Sequence, residues 1–224
     1  MLTKHHLIVA HEVTNVGNDR TQLCNMAVQA REAIGAEDLT VLADRGYMKG
    51  EEILACHGLG IDALVPKTHT SGNKAQGLFD KADFKYVAEK DEYRCPAGQA
   101  LIMRFTSIEQ GKTMTTYWSS QCQSCPLKVK CTTGEHRRVK RWEHEDVLEL
   151  MQAKLAEMPD AMLVRKSTVE HPFGTIKAWM GATHFLTRTK NHVSTEMSLH
   201  VLAYNLKRVM KIMGIMPLMA AMRA

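Results

Sequence analysis

LTVLADRGYMKGEEILACHGLGIDALV, residues 39–65, decides the architecture. Its opening five residues are almost wholly apolar and read as a buried strand over 39–43. The stretch then turns at Asp44-Arg45-Gly46-Tyr47. A short helix is expected from about 49 to 57, closed by Gly58. Ile61 to Val65 reads as another strand, stopped by Pro66. Upstream, HLIVAHEV at 6–13 is apolar and β-branched and reads as a strand. A turn at 15–19 follows, with Asn18 or Asp19 as a helix N-cap. Leu23, Met26, Ala27, Ala30 and Ile34 then recur at helical spacing up to Gly35. Strand and helix thus alternate from 6 to 65, which argues for an α/β layer with some parallel pairing.

The rhythm breaks at residue 66. Residues 66–145 are polar and loop-rich and carry cysteines, with strand-like pieces only at 101–106 and 113–117. Helices resume at about 145–158, 164–180 and 192–213. Met197, Leu199, Val201, Leu202, Tyr204, Leu206, Val209 and Met213 form a broad apolar stripe on the last of these, and it reads as core. The expected organisation is a core made of 1–65 and 146–224, interrupted by a cysteine-containing subdomain at 66–145.

At 224 residues the chain is long enough to bury a real core, and 45% hydrophobic with 24% charged residues excludes general disorder. No run of about 18 uncharged apolar residues exists, so no membrane span is expected. The start MLTKHHLIVAHEV lacks the features of a signal peptide, which points to the cytoplasm. Six cysteines in that reducing setting are metal ligands or buried thiols rather than disulfides. The net charge is +5. Lys128, Lys130, Arg137, Arg138, Lys140 and Arg141 are opposed only by Glu135, and nine cations from Arg165 onward face only Glu170 and Glu196. Such clustering suits a polyanionic partner and equally a solvated basic face.

Three groups of residues bear chemistry. Asp44 follows a buried strand and so sits at the carboxyl edge of the sheet, where α/β folds bind ligands; it also reads as a plain helix N-cap. Glu170 lies in RKSTVEHPFGTIK, residues 165–177, where Pro172 and Gly174 disfavour an ordinary surface helix. Glu170 and Lys177 are seven apart and share a helical face, and pairing of Glu170 with Lys166 or Lys177 is the bland alternative. Cys122-x2-Cys125-x5-Cys131, with Cys95 upstream, offers four thiolates to a structural Zn²⁺. Reduced thiols and a redox role remain open. Cys24 and Cys56 read as core packing.

LADRGY with Asp44, and VEHPFGTIK with Glu170, resemble the second and third acidic residues of the DDE-type bacterial insertion-sequence transposases, in the group with a cysteine-bearing insertion. The likeness runs from LIVAHEVTN to the last helix, and VEHPFGTIK is its most specific part. It implies a ribonuclease-H-like mixed sheet flanked by helices. It also implies Mg²⁺- or Mn²⁺-dependent cleavage and transfer of DNA strands, with transposon ends and target DNA as partners and a homodimer as a possible assembly. Asp44 and Glu170 would hold the metal, Lys177 would grip a phosphate near the scissile bond, and Lys166 and Arg165 would position the backbone. Arg137, Arg138, Lys140 and Arg141 would contact phosphates from the insertion.

The sequence departs from that pattern in three respects. The strand bearing the family's first aspartate lies before residue 6 and is not found, and Glu12, Asp19 and Asp38 are poor substitutes. Leu163 and Lys166 stand where one version of the glutamate motif has Tyr and Arg, and Lys loses bidentate phosphate recognition. No N-terminal DNA-binding region is recognised. The expectation is a shortened catalytic domain with weak Mg²⁺ binding and little catalysis. The rival expectation is a non-enzymatic, zinc-stabilised DNA-binding protein derived from the same fold.

Overall fold

The computed structural model describes residues 5–68 and 72–223. They divide into two compact units, Met1–Lys67 with Val147–Ala224, and Thr68–Asp146.

In the first unit, the side chain of Asn18 accepts from the Arg20 N–H at 3.2 Å and starts a 3-10 turn at Asp19–Thr21, which leads into α1 (Leu23–Ile34). Leu23, Ala27 and Ala30 are its buried stripe. Gly35 stops the helix in the left-handed conformation (φ 60°), its N–H reaching back to the Arg31 and Glu32 carbonyls. β1 (Leu39–Leu42), α2 (Gly50–Gly58) and β2 (Ile61–Leu64) then form a strand–helix–strand crossover. The strands are parallel, in a register running from Leu39 opposite Ile61 to Leu42 opposite Leu64. Val41, Ile53, Cys56, Ile61, Leu64 and Val65 are buried around this layer.

Helices complete the unit. α3 (Glu145–Glu157) attaches to β2 through Gln152 Nε2 donating to the Val65 carbonyl (3.0 Å) and Lys154 pairing with Asp62 (2.5 Å). α4 (Ala161–Gly174) continues into a wide π turn, Thr175–Trp179. α5 (Lys190–Met213) and α6 (Ile215–Ala221) follow, divided at Gly214, whose φ is 82°. No helix among the described residues is long and apolar enough to cross a membrane.

Two expectations for this unit change. Residues 6–13 do not form a strand: only Ile8 is an isolated bridge residue. The reason lies on α5, whose side chains satisfy this segment's backbone. Asn205 accepts from the Ile8 N–H (2.9 Å) and donates to the Ile8 carbonyl (2.7 Å). Tyr204 donates to the His6 carbonyl and Arg208 to the His5 carbonyl. The α5 stripe is also only partly core. Val201 and Tyr204 are buried, whereas Leu199, Leu202, Leu206 and Met213 are 61%, 62%, 47% and 47% exposed.

The second unit is an antiparallel meander, β3 (Lys85–Val87), β4 (Glu92–Arg94), β5 (Ala100–Glu109), β6 (Lys112–Trp118) and β7 (Val139–Trp142), paired in chain order. The strands of the described residues are therefore divided between a parallel pair and an antiparallel sheet rather than joined in one mixed sheet. β5 and β6 meet at Gln110-Gly111, both with positive φ (52° and 77°), as a tight hairpin requires. Phe84, Tyr93, Leu101, Tyr117 and Val139 form the core, with Cys95 and Cys131 packed against it. Between β6 and β7, residues 119–138 contain only two 3-10 turns, Ser120–Cys122 and Lys128–Lys130.

Candidate metal and nucleic-acid sites

β1 ends one residue before Asp44, and the chain turns there because Asp44 caps the next 3-10 turn, Arg45–Tyr47. The Gly46 N–H donates to Asp44 Oδ1 at 2.9 Å. A side chain at position 46 would set its first carbon 3.0 Å from that oxygen, so glycine permits the close approach. The other oxygen, Oδ2, is taken by the Arg165 guanidinium at 2.8 Å. Tyr47 lies beside this pair. Burial pushes its phenol up, and the charges of Asp19 and Asp44 push in the same direction.

Arg165 reaches Asp44 from α4, whose inward side also carries the buried Ala161 and Pro172, with Ile176 continuing it into the π turn. Pro172 sits inside the helix without the N–H that would bond the Thr168 carbonyl, and His6 Nδ1 lies 3.3 Å from that oxygen. This contact explains how an interior proline is accommodated. The His171 ring lies tilted against that of His6 (ring centroids 4.9 Å apart), and its Nδ1 meets the Tyr204 hydroxyl at 3.2 Å. Burial first, and then the neighbouring His6, Arg208 and Lys211, lowers the His171 pKa.

Glu170 is placed differently. It is five positions from Arg165, about 140° around a regular helix. Its side chain is 66% exposed, and its partner is Lys166 at 3.8 Å, one turn away. Lys166, Glu170 and Lys177 are all exposed. The structure thus brings Asp44 together with Arg165, and Glu170 with Lys166. Carboxylate oxygens are the right donors for Mg²⁺. The arrangement as it stands does not fit the ion: Asp44 is already satisfied by Gly46 and Arg165. Among the described residues, no three or more His, Cys, Asp or Glu side chains are set to hold one metal. Glu12, weighed as a substitute, accepts from Asn25 (2.7 Å) and Gln29 (3.0 Å), which lower its pKa.

The cysteines fall into two sets. Cys24 and Cys56 belong to α1 and α2, and burial, reinforced by Cys24, pushes the Cys56 thiol up to about 12. Cys95, Cys122, Cys125 and Cys131 line one cavity of the second unit, together with Phe84, Leu101 and Arg137. Turns deliver each of them. The Gly98 N–H bonds the Cys95 carbonyl (2.8 Å), the Lys128 N–H that of Cys125 (3.1 Å), and the Cys131 N–H that of Lys128 (2.9 Å). Burial raises the Cys131 pKa; Arg137 opposes this, and the other three cysteines add to it.

β7 carries only the last two cations of the basic run, Lys140 and Arg141, and its alternation sends them to opposite faces. Arg137 lies 5.4 Å over Phe84 and Arg138 5.4 Å over Trp118. Lys140 is paired to Glu109 at 2.6 Å, and Arg141 sits 3.8 Å over Tyr86. Sequence reasoning missed the partners Phe84 and Tyr86, because both lie more than fifty positions from the cations they meet.

A search of curated proteins finds no match, and neither does a search of solved structures. A family model described as the transposase DDE domain matches residues 94–210, just over half of the 224, and the chain belongs to this transposase family.

Proposed function

We propose that this chain acts in DNA transposition, its substrate being DNA and its chemistry the divalent-metal-dependent cleavage and transfer of strands. One observation carries the reading: the family match contains Glu170, Lys177 and all four cysteines of the second unit. Asp44 lies outside the matched residues and enters on its position at the end of β1 and on the LADRGY motif. In this reading Asp44 and Glu170 would supply carboxylate oxygens to the metal once Asp44 is released from its present partners, and Lys166 on α4 and Lys177 in the π turn after it would contact phosphates. Arg165 holds Asp44 at 2.8 Å, and a bound metal would have to displace it.

The Asp44–Arg165 pair favours a second statement within the same reading. With both Asp44 oxygens engaged, and no group of three or more His, Cys, Asp or Glu placed to hold a metal among the described residues, the chain binds DNA and cuts it poorly. Purified protein should shift duplex DNA in a gel at low salt, with affinity falling steeply as salt rises, because phosphate contacts release counterions. Supercoiled plasmid with Mg²⁺ or Mn²⁺ should remain largely unnicked. Efficient nicking that disappears in both Asp44→Ala and Glu170→Ala would overturn the inactivity and leave the transposase chemistry standing. Failure to bind DNA even at low salt would overturn the DNA reading itself.

A non-enzymatic DNA-binding protein stabilised by zinc is the alternative. It predicts the same gel shift, with plasmid left intact in every variant even after Arg165→Ala frees Asp44.

A further inference from the structure

We infer that Cys95, Cys122, Cys125 and Cys131 form a structural four-thiolate site for Zn²⁺ that organises the loop between β6 and β7. This goes beyond the transposition reading and does not depend on Asp44 or Glu170.

Four arguments converge. First, the four residues line the same cavity although they come from two separate stretches of chain, Cys95 just after β4 and the other three in the loop between β6 and β7. Second, the donor set is chemically pure: among the described lining residues there is no Asp, Glu or His. All-sulfur, four-donor sites select tetrahedral Zn²⁺ or iron, and a closed set of four leaves no position for substrate.

Third, residues 119–138 run for twenty residues with no sheet or α-helical hydrogen bonding beyond two short 3-10 turns. A segment of that kind inside a compact unit needs another source of order. Cys95 and Cys131 already touch the Phe84, Tyr93, Leu101 core, so an ion held by the four sulfurs would tie the loop to that core.

Fourth, Arg137 lines the cavity with its Nε buried and without a hydrogen-bond partner. Four thiolates around Zn²⁺ carry a net charge of −2, and a buried guanidinium N–H beside them supplies both counter-charge and a donor to sulfur. The sequence suggested Arg137 as a phosphate contact; its position gives it this second use.

Among the described residues no group of three or more His, Cys, Asp or Glu is placed to hold a metal as the chain stands. Binding therefore requires the four sulfurs to draw closer together than they stand. The 3-10 turns that carry Cys122 and lead to Cys131 have no strand partners to resist it. Four thiols lose four protons as four sulfur–zinc bonds form, so binding acidifies an unbuffered solution.

The full chain, expressed with zinc in the medium, should contain one zinc per molecule by elemental analysis and native mass spectrometry. X-ray absorption should show four sulfurs at about 2.3 Å. Cys122→Ser with Cys125→Ser should lose the metal, and Cys24→Ser with Cys56→Ser should keep it. A wild-type chain that folds without metal and whose six thiols all react with Ellman's reagent, unchanged by added zinc, would overturn the site. So would stoichiometric iron with visible charge-transfer absorbance, or sulfur–zinc coordination that survives the Cys122→Ser, Cys125→Ser double change. Metal content is read on wild-type protein, so a variant that fails to fold does not shelter the proposal.

Discussion

Asp91 shows how one side chain can organise a small sheet. It stands between β3 and β4 with a left-handed backbone (φ 46°) and accepts from the Tyr117 hydroxyl at 2.6 Å and the Tyr86 hydroxyl at 2.7 Å. The Tyr117 donor, then Tyr86, holds the Asp91 carboxyl below its ordinary value. A carboxyl whose pKa is depressed by folding stabilises the protein above its unfolded value, about 3.9, and loses that contribution as pH falls through the folded value. Asn tolerates the left-handed backbone and keeps an acceptor oxygen. Asp91→Asn should therefore lower the unfolding temperature at pH 7 by a few degrees, and the gap to wild type should narrow progressively as pH falls below about 3.9. Thermal unfolding followed by circular dichroism at pH 7 and at a series of lower pH values checks this. A constant gap would mean that the charge plays no part. None of this was legible in the sequence, because Asp91 and Tyr117 are 26 positions apart and only strand pairing brings them together. Pro172 teaches the same lesson. Its awkwardness inside a helix was visible, but His6, the residue that meets the freed Thr168 carbonyl, is remote in sequence.

At the scale of elements, periodicity decides what can be read. β1, α2 and β2 were expected at 39–43, 49–57 and 61–65 and lie within a residue or so of those bounds, because buried strands are apolar runs and Gly58 marks a stop. β3, β4 and β7 escaped notice because Lys85-Tyr86-Val87, Glu92-Tyr93-Arg94 and Val139-Lys140-Arg141-Trp142 are short and charged. In β7 the charges masked the pattern: a strand with buried Val139 and Trp142 looked like a basic patch. The candidate site divides along the same line. Asp44 was legible from its place after β1, while its pairing with Arg165 depends on how α4 lies on β1. Hairpin chemistry yields a test at this scale. Gln110 occupies a position that favours Asn or Gly, since φ is positive there. Gln110→Asn should stabilise the second unit by about 0.5 kcal/mol. Gly111→Ala should cost about 1 kcal/mol, because its φ of 77° disfavours a side chain. Denaturant titration of the full chain reads both, and equal midpoints for the two variants would contradict the turn assignment.

The molecule as a whole leaves a large apolar face on α5. Leu199, Leu202, Leu206, Val209 and Met213 follow one another at intervals of three, four, three and four residues, the spacing of a helix–helix seam. The sequence could not say whether such a stripe is core or contact, since both require the same periodicity. The exposures divide it: Val201 and Tyr204 face inward, and the seam residues Leu199, Leu202 and Leu206 stay open to solvent. An exposed row of leucines on a soluble surface favours association, and a seam of this spacing is matched by the same seam on a second copy. The full chain should then sediment as a concentration-dependent mixture of monomer and dimer at micromolar concentration. Leu202→Gln with Leu206→Gln, which preserves helix propensity, should shift it to monomer with unchanged helical circular dichroism. Wild-type protein that remains monomeric throughout that range would remove the dimer. Persistence of the dimer in the double variant would place its contact elsewhere on the surface.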